Sequence, residues 1–511
     1  MSNIVDNKKI AKNTLALYFR QIMMMIVSLF TSRIVLQTLG VTDYGINNVV
    51  GGVVLMFDFM RSTLTGITQR FISIELGKGG DFNILRRIFS TSMLLHIAAA
   101  LAVLILAQTV GLWFLNTQLV IPEERMVAAN WVYQFAVFGF VMSLLNAPLI
   151  ALVISHEDMH IFGHMGVFDV VVRLITVYLL LIVNTDKLLF FALFGFIVTL
   201  IVWVFYWFYC RWKYKYARFQ WDWDKKLMRE LCGFGGYTFF TNIFLILLVK
   251  GTDIILNIFH GPAVNAAKGL ANSVDAAIST FGNNFRVAFI PQLTKSYASG
   301  DTNTTWTLVE RGTRITYFLF FIFFVPILLK TDFILRLWLG NVPEYTVIFV
   351  KFIIIYSIIT ALFSFLGSIA IASGKLKAWS YFKYVMSALT LALIFLVSKL
   401  GYPPYYVFIV MLSVNSFFSY FGQLIIARKM FGFPIKFFTK KALVPVLLVS
   451  IISLIPFYVV DKLLHESFFY NSIIVITSMM WTGIVTMIVG LKKQEQINLV
   501  EFVKRKIGLT N

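Results

Sequence analysis

Fourteen apolar runs, each long enough to cross a bilayer, divide this chain of 511 residues and limit its fold more than any other feature. A helix needs about 20 apolar residues to span the hydrocarbon core. The runs lie near 13–39, 46–72, 88–115, 127–154, 163–183, 188–210, 233–259, 263–289, 313–331, 346–372, 378–399, 404–427, 442–460 and 468–490. Lipid offers the backbone no hydrogen-bond partner, so each run is expected as a helix, and the longer ones must tilt or protrude. The chain is 59% hydrophobic and only 13% charged, whereas soluble domains carry roughly 25% charged residues. Soluble enzymes, nucleic-acid binders and secreted domains are excluded.

The connections test the count of runs. With a cytoplasmic N-terminus, 28 of the 44 Lys and Arg fall on inner segments, 6 on outer ones and 10 within the runs. The outer six are Arg125, Lys187, Lys330, Arg336, Lys399 and Lys462. A missed or false span would scramble this alternation downstream, so fourteen crossings with both termini cytoplasmic are expected. The formal charge of +20 is then mainly the positive-inside pattern, and no nucleic acid partner is implied. The first run is too long for a signal peptide and lacks a small-residue cleavage site, so it is expected to stay as a spanning helix. Cys210 and Cys232 both fall at the inner membrane edge, which implies no disulfide framework. The longest inner connection, RWKYKYARFQWDWDKK, mixes aromatics with bases and is expected to lie against the anionic inner leaflet.

An internal repeat organises the runs. In the eighth, Lys268, Asn272, Asp275, Ser279, Asn283 and Arg286 recur every three or four residues, a polar stripe along one helical face. A shift of 217 lays Asn48 on Asn265, Asp58 on Asp275, Ser62 on Ser279 and Gln69 on Arg286. Offsets of 220 and 218 relate the first run to the seventh, and the turn at Ser155 to that at Ser373. The fold expected is an all-α polytopic membrane protein of 14 transmembrane helices. Two pseudo-symmetric six-helix bundles, 1–218 with the basic linker and 219–430, would surround a central cavity. A C-terminal helix pair with a cytoplasmic tail, 431–511, is left over. Six is even, so the halves form a parallel repeat, an architecture of alternating-access transporters. Nothing reads as the selectivity filter of a channel.

Ionised groups within spans cost about 2.5–3.5 kcal/mol each on the lenient insertion scale and are expected to face an interior or a water-filled cavity. The first two runs carry Arg20, Arg33, Asp58, Arg61 and Arg70. Arg20 lies roughly 12 Å along its helix from Lys12, and Arg61 roughly 14 Å from Arg70, which places Arg20 and Arg61 at similar depth in the inner half. On a straight helix Arg33 points about 140° away from Arg20, so it is expected to pair with another span. Asp58 and Arg61 are three apart and can pair, as can Lys250 and Asp253. Over all runs, the ten intramembrane bases stand against Asp58, Asp169, Asp253, Asp275 and the helix-end Glu75. A cationic cavity of this kind favours an anionic substrate, and arginine forks suit phosphate or pyrophosphate.

His156-Glu157-Asp158-Met159-His160 spells H-E-x-x-H. The third histidine, His164, follows eight residues after the first, where a metzincin needs ten. The stretch therefore reads as an ordinary inner turn; no metal, cofactor or catalytic residue is implied, and the chain is expected not to be an enzyme.

The opening KNTLALYFRQIMMMIVSLFTSRIVLQTLGVTDYGINNVV, the turn ISHEDMH and the stretch GPAVNAAKGLANSVDAAISTFGNNFRVAFIPQLTKSYASGD resemble the polysaccharide repeat-unit (O-antigen, lipopolysaccharide) flippases. These belong to the multidrug/oligosaccharidyl-lipid/polysaccharide exporter superfamily. The resemblance implies a twelve-helix core with two extra helices and a cationic cavity. Through it, undecaprenyl-pyrophosphate-linked oligosaccharide would move from the inner to the outer leaflet of a bacterial inner membrane. It maps the family's arginines onto Arg20 or Arg33, Arg61 or Arg70, and Arg286, with Lys268 a further candidate. Asn272, Ser279 and Asn283 would line the sugar path. Ion-coupled relatives carry an acid on the first helix that this chain lacks, which leaves Asp58, Asp253 and Asp275 as candidates for ion coupling. Membrane lipids and polysaccharide polymerase machinery are the partners implied. The alternative is a cation-coupled multidrug or metabolite antiporter of the same superfamily.

Overall fold

The computed structural model describes residues 7–497, apart from 78, 157, 222–223, 374–375 and 464–466. All regular structure among the described residues is helical. Two packing units divide the chain: Met1–Gly269 with Ile394–Pro404, and Leu270–Leu393 with Tyr405–Asn511.

The first unit begins with α1 (Asn7–Leu55) and α2 (Asp58–Gly77). Then come α3 (Phe82–Thr117), α4 (Met126–Ser155), α5 (Met159–Ile182), α6 (Lys187–Lys213) and α7 (Lys225–His260). The helix α8 (Pro262–Ala298) starts in this unit and continues into the second. There follow α9 (Thr302–Leu329), the short α10 (Thr331–Leu339), α11 (Thr346–Ala372) and α12 (Leu376–Lys399). The chain closes with α13 (Tyr406–Phe431), α14 (Ile435–Asp461) and α15 (Phe468–Gly490). The fourteen apolar runs fall largely on helix, the second divided between the end of α1 and α2. Among the described residues, ten helices are long and apolar enough to cross a membrane, or up to eleven if the bent pair α1–α2 is one crossing. This is a multi-pass membrane protein. The packing units cut the chain differently from the sequence repeat: α7 packs with the first unit, whereas the repeat counts it in the second half.

Local chemistry sets where helices begin and bend. Asp81, Asp186, Asp224 and Asp301 each accept a hydrogen bond from the first turn of the helix they precede, satisfying donors that have no partner within it. Gly40, at φ +78°, kinks α1. Gly261, at φ +82°, ends α7 immediately before Pro262 opens α8. Glycine reaches this half of φ space without strain, and proline suits a first helical position. The second apolar run reads as continuous, yet the helix breaks at Met56-Phe57 and turns by 44° before Asp58. In α3 the ladder widens to π turns over Ala107–Gly111, and the Tyr133 hydroxyl donates to the Ala107 carbonyl at 2.9 Å.

α4 is the centre of the first unit, packed along α1, α2, α3 and α6. Ile46, Val49, Val50, Val103, Tyr133 and Leu144 form one core. Ile72, Phe89, Leu152, Tyr206 and Tyr214 form another. In the second unit α9 holds α11, α14 and α15, with a core that includes Val309, Phe365, Ile369 and Phe438. The tightest approach to backbone is in the first unit: a Cβ on Gly45 would stand 2.0 Å from the Pro262 carbonyl oxygen. Backbone cannot yield as a flexible side chain can. Gly45→Ala is therefore expected to cost about 1–3 kcal/mol by overpacking, read as a lowered melting temperature in detergent; an unchanged melt would mean that α1 and α8 can slide apart freely.

Candidate functional site

Inside the first unit lies a cavity of about 820 Å³, lined by α1, α2, α4, α5 and α6. Two ion pairs face it. The break before α2 puts Asp58 in its first turn, and Arg61 Nε donates to the Asp58 carboxylate at 2.6 Å. Across the cavity Arg173 reaches Asp169, one turn back on α5, at 3.0 Å. Asn47, Ser143 and Asn146 add polar lining, and the side-chain oxygen of Asn146 has no partner among the described residues. Among the described residues the charge lining this cavity is balanced, two carboxylates against two guanidinium groups.

A second cluster is buried where α7 and α8 meet α1. Asp253 receives Lys268 Nζ at 2.8 Å and Lys250 Nζ at 3.5 Å. Lys268 also reaches the Val249 carbonyl at 3.4 Å, and Asn265 donates to the backbone oxygen of Asp253 at 2.8 Å. Gly52 and Asn48 bring α1 alongside. Lys268 thus serves Asp253 rather than facing open space, and Asp253 is already occupied by two ammonium groups. Nearby, the Asn257 amide pairs with Val120 through both its oxygen and its nitrogen. Arg125 grips Asp43 and Asp186 together, with four contacts of 2.6–3.0 Å. The guanidinium holds the Asp186 carboxyl below its ordinary pKa, against the opposing effect of burial.

The second unit carries the rest of the polar stripe. Ser279 donates to Asp275 at 3.1 Å, and Ser357 on α11 also reaches that carboxylate. Asn415 donates to the Tyr356 hydroxyl at 2.7 Å. Arg286 and Lys383 lie within electrostatic reach of each other, beside Tyr420, which stacks on Phe363 at 4.5 Å. Arg286 Nε is buried with no hydrogen-bond partner among the described residues.

Of the residues singled out from sequence, the fold brings together Asp58 with Arg61, Lys268 with Asp253, and Asp275 with Ser279. Arg33 is half-buried outside the cavity lining, while Arg70 and Asn272 are exposed. The side chains of Arg20 and Asn283 lie outside the described residues. Lys250 meets Asp253, as their spacing predicts; Asp169, Arg173 and Lys383 complete these clusters, although the sequence marks them only as intramembrane charges. The spacing of four between Asp169 and Arg173 was the available signal. At the histidine-rich turn, His156 Nε2 lies 2.6 Å from the Tyr216 hydroxyl, and burial lowers its pKa despite the neighbouring Asp158. Glu157 and the His160 side chain lie outside the described residues, and among the described ones no group of metal-ligating side chains converges.

No protein-family model matches this chain, and no curated protein matches its sequence. Solved structures do match. The lipid II flippase MurJ, in an inward closed conformation, superposes with a TM-score of 0.72 at 14% identity, covering 93% of this chain and 97% of that one. An inward-facing multidrug resistance transporter of the MATE family, in the MOP superfamily, gives 0.60 at 10% identity over 83% and 95%. The Vibrio cholerae MATE transporter VcmN, in a mutant form, gives 0.52 at 16% over 82% and 98%. The chain therefore has the fold shared by the MurJ flippase and the MATE transporters of the MOP superfamily.

Proposed function

We propose that this protein is a flippase that moves undecaprenyl-pyrophosphate-linked oligosaccharide from the inner to the outer leaflet by alternating access, supplying surface polysaccharide synthesis. The observation that carries the reading is the likeness to a lipid II flippase over nearly the whole of both chains, stronger in TM-score than the likeness to the MATE transporters. The sequence resemblance to repeat-unit flippases supplies the class of glycan. In this reading fourteen helices cross a bacterial inner membrane with both termini cytoplasmic, in two six-helix halves and a terminal pair, and the polymerase machinery receives the product. Arg61 and Arg286, with Arg20, Arg33, Arg70 and Lys268 as further candidates, serve the pyrophosphate. Asn272, Ser279 and Asn283 serve the sugars, and Asp58, Asp253 or Asp275 couples the step to an ion. Arg286 Nε, buried beside Lys383 and unpartnered among the described residues, supports anion binding, because a buried guanidinium without a counter-charge is costly until an anion supplies one.

Arg61→Glu and Arg286→Glu are each expected to abolish surface-glycan export while the protein still inserts. Undecaprenyl-linked oligosaccharide should build up on the cytoplasmic face, as it should on deletion of the gene. Export retained in both variants would remove the role given to these arginines. The likeness to MATE transporters and the charge-balanced cavity favour a second reading, an antiporter of cationic drugs or metabolites. Growth of the deletion strain on a panel of toxic cations separates the two: sensitivity with glycan export intact would put the antiporter first.

A further inference from the structure

Among its described residues, the chain between α6 and α7 is fastened to the first unit along one side. His156, in the turn after α4, is the main pin. Besides meeting the Tyr216 hydroxyl, its ring stacks on Tyr214 with centroids 4.4 Å apart. The Tyr214 hydroxyl donates to Asp158, which also takes the Lys213 ammonium at 2.7 Å. Phe82, at the start of α3, stands edge-on to Tyr216. Farther along, the backbone N–H of Gln220 donates to the Ser90 hydroxyl at 3.2 Å, and Asp224 pairs with Arg87 at 3.1 Å.

Because Tyr214, Tyr216 and Ala217 are turned inward, the residues between and around them are turned out. Arg211, Trp212, Lys215, Arg218 and Trp221 are exposed, the two tryptophans at 79% each. Arg211 leans over the Trp207 ring at 5.2 Å. Lys213 and Arg87 have carboxylate partners, but among the described residues Arg211, Lys215 and Arg218 form no ion pair. The pins come from the start of α3 and the end of α4, and the segment itself joins the end of α6 to the start of α7. It therefore lies at one membrane edge of the unit. Two fully presented tryptophans are poorly suited to bulk water, whereas the headgroup layer accepts an apolar ring with a polar tip. Bases presented at the same level attract anionic lipid.

We propose that residues 211–221 form a preformed binding surface for the headgroups of anionic phospholipids. Arg211, Lys215 and Arg218 meet the phosphates, and Trp212 and Trp221 sit in the interfacial layer. This rests on the edge being the inner leaflet, as in the proposed topology, and not on the identity of the transported substrate.

The test uses the full chain in phosphatidylcholine nanodiscs containing trace spin-labelled phosphatidylglycerol or spin-labelled phosphatidylcholine, with no substrate present. Electron spin resonance reads the ratio of the two lipids held at the protein. Neutralising the surface with R211Q/K215Q/R218Q, which leaves the pins at His156, Asp158, Ser90 and Arg87 in place and removes only the stacking of Arg211 on Trp207, is expected to lower that ratio by about fivefold or more at low salt, on the order of one lost contact. H156A keeps all three bases but frees the segment, and is expected to lower the ratio as well. A wild-type ratio near one, or an unchanged ratio in the triple variant, overturns the proposal. So does an acidic protein that co-purifies with the wild type and is released by the same substitutions. Failure of the export tests would leave this ratio untouched, so the two readings fail separately.

Discussion

Asp253→Asn is expected to destabilise the first unit by about 3–5 kcal/mol, because it leaves a buried ammonium without its counter-charge. Lys268 is 4% exposed and its Nζ lies 2.8 Å from the Asp253 carboxylate. Lys250, at 3.5 Å on the other oxygen, then adds repulsion with nothing to offset it. The remaining contact of Lys268, to the Val249 carbonyl, is long and uncharged. Thermal melting in detergent measures the loss. The double variant D253N/K268M should recover part of it, since removing both charges also removes the cost of burying them. A single variant that melts like the wild type would show that Lys268 finds another anion.

Arg314→Met is expected to cost a similar amount, about 3–5 kcal/mol, in the second unit. Arg314 and Glu310 on α9 are almost wholly buried. The arginine bonds the Gly490 carbonyl at the end of α15 at 2.8 Å and Glu495 just beyond it at 2.6 Å, and also faces Glu310 at 3.3 Å. Lys492 on Glu310 and Arg311 on Glu495 complete a five-residue network that fastens the terminal helix to α9. Without the guanidinium, the two carboxylates lose the charge between them. Faster proteolysis after α15, together with a lowered melting temperature, would report the detachment. Arg336→Met is the control. Its pair with Asp332 is just as short, 2.7 Å, but 70% and 53% exposed, so the change should stay within about 0.5 kcal/mol. Equal effects in the two variants would mean that burial does not set these energies.

The contrast explains which parts of the site were legible in the sequence. Asp58 with Arg61 could be read from a spacing of three, because helix geometry alone makes such residues neighbours. The same rule found Lys250 for Asp253 but not Lys268, which reaches it from the next helix after the turn at Gly261. The stripe on α8 shares a helical face, yet its members have different fates: Lys268 is buried on Asp253, Asn272 is exposed, and Asp275 is held by Ser279. Periodicity fixes the direction of a side chain around its own axis and nothing about what stands opposite.

Hydropathy and spacing establish that the chain is helical, membrane-spanning and divided into fourteen apolar runs, and that charges recur inside them. These follow from the solubility of side chains in lipid and from the need of each backbone segment to satisfy its own hydrogen bonds, both properties of short stretches. Packing alone set the sharp break before α2, the balance of the described charges that line the first unit's cavity, and the place of α7 in that unit. It also set His156 against Tyr214 and Tyr216. These depend on which surfaces meet across long separations in the chain, and hydropathy, which sums over neighbours in sequence, does not contain that information.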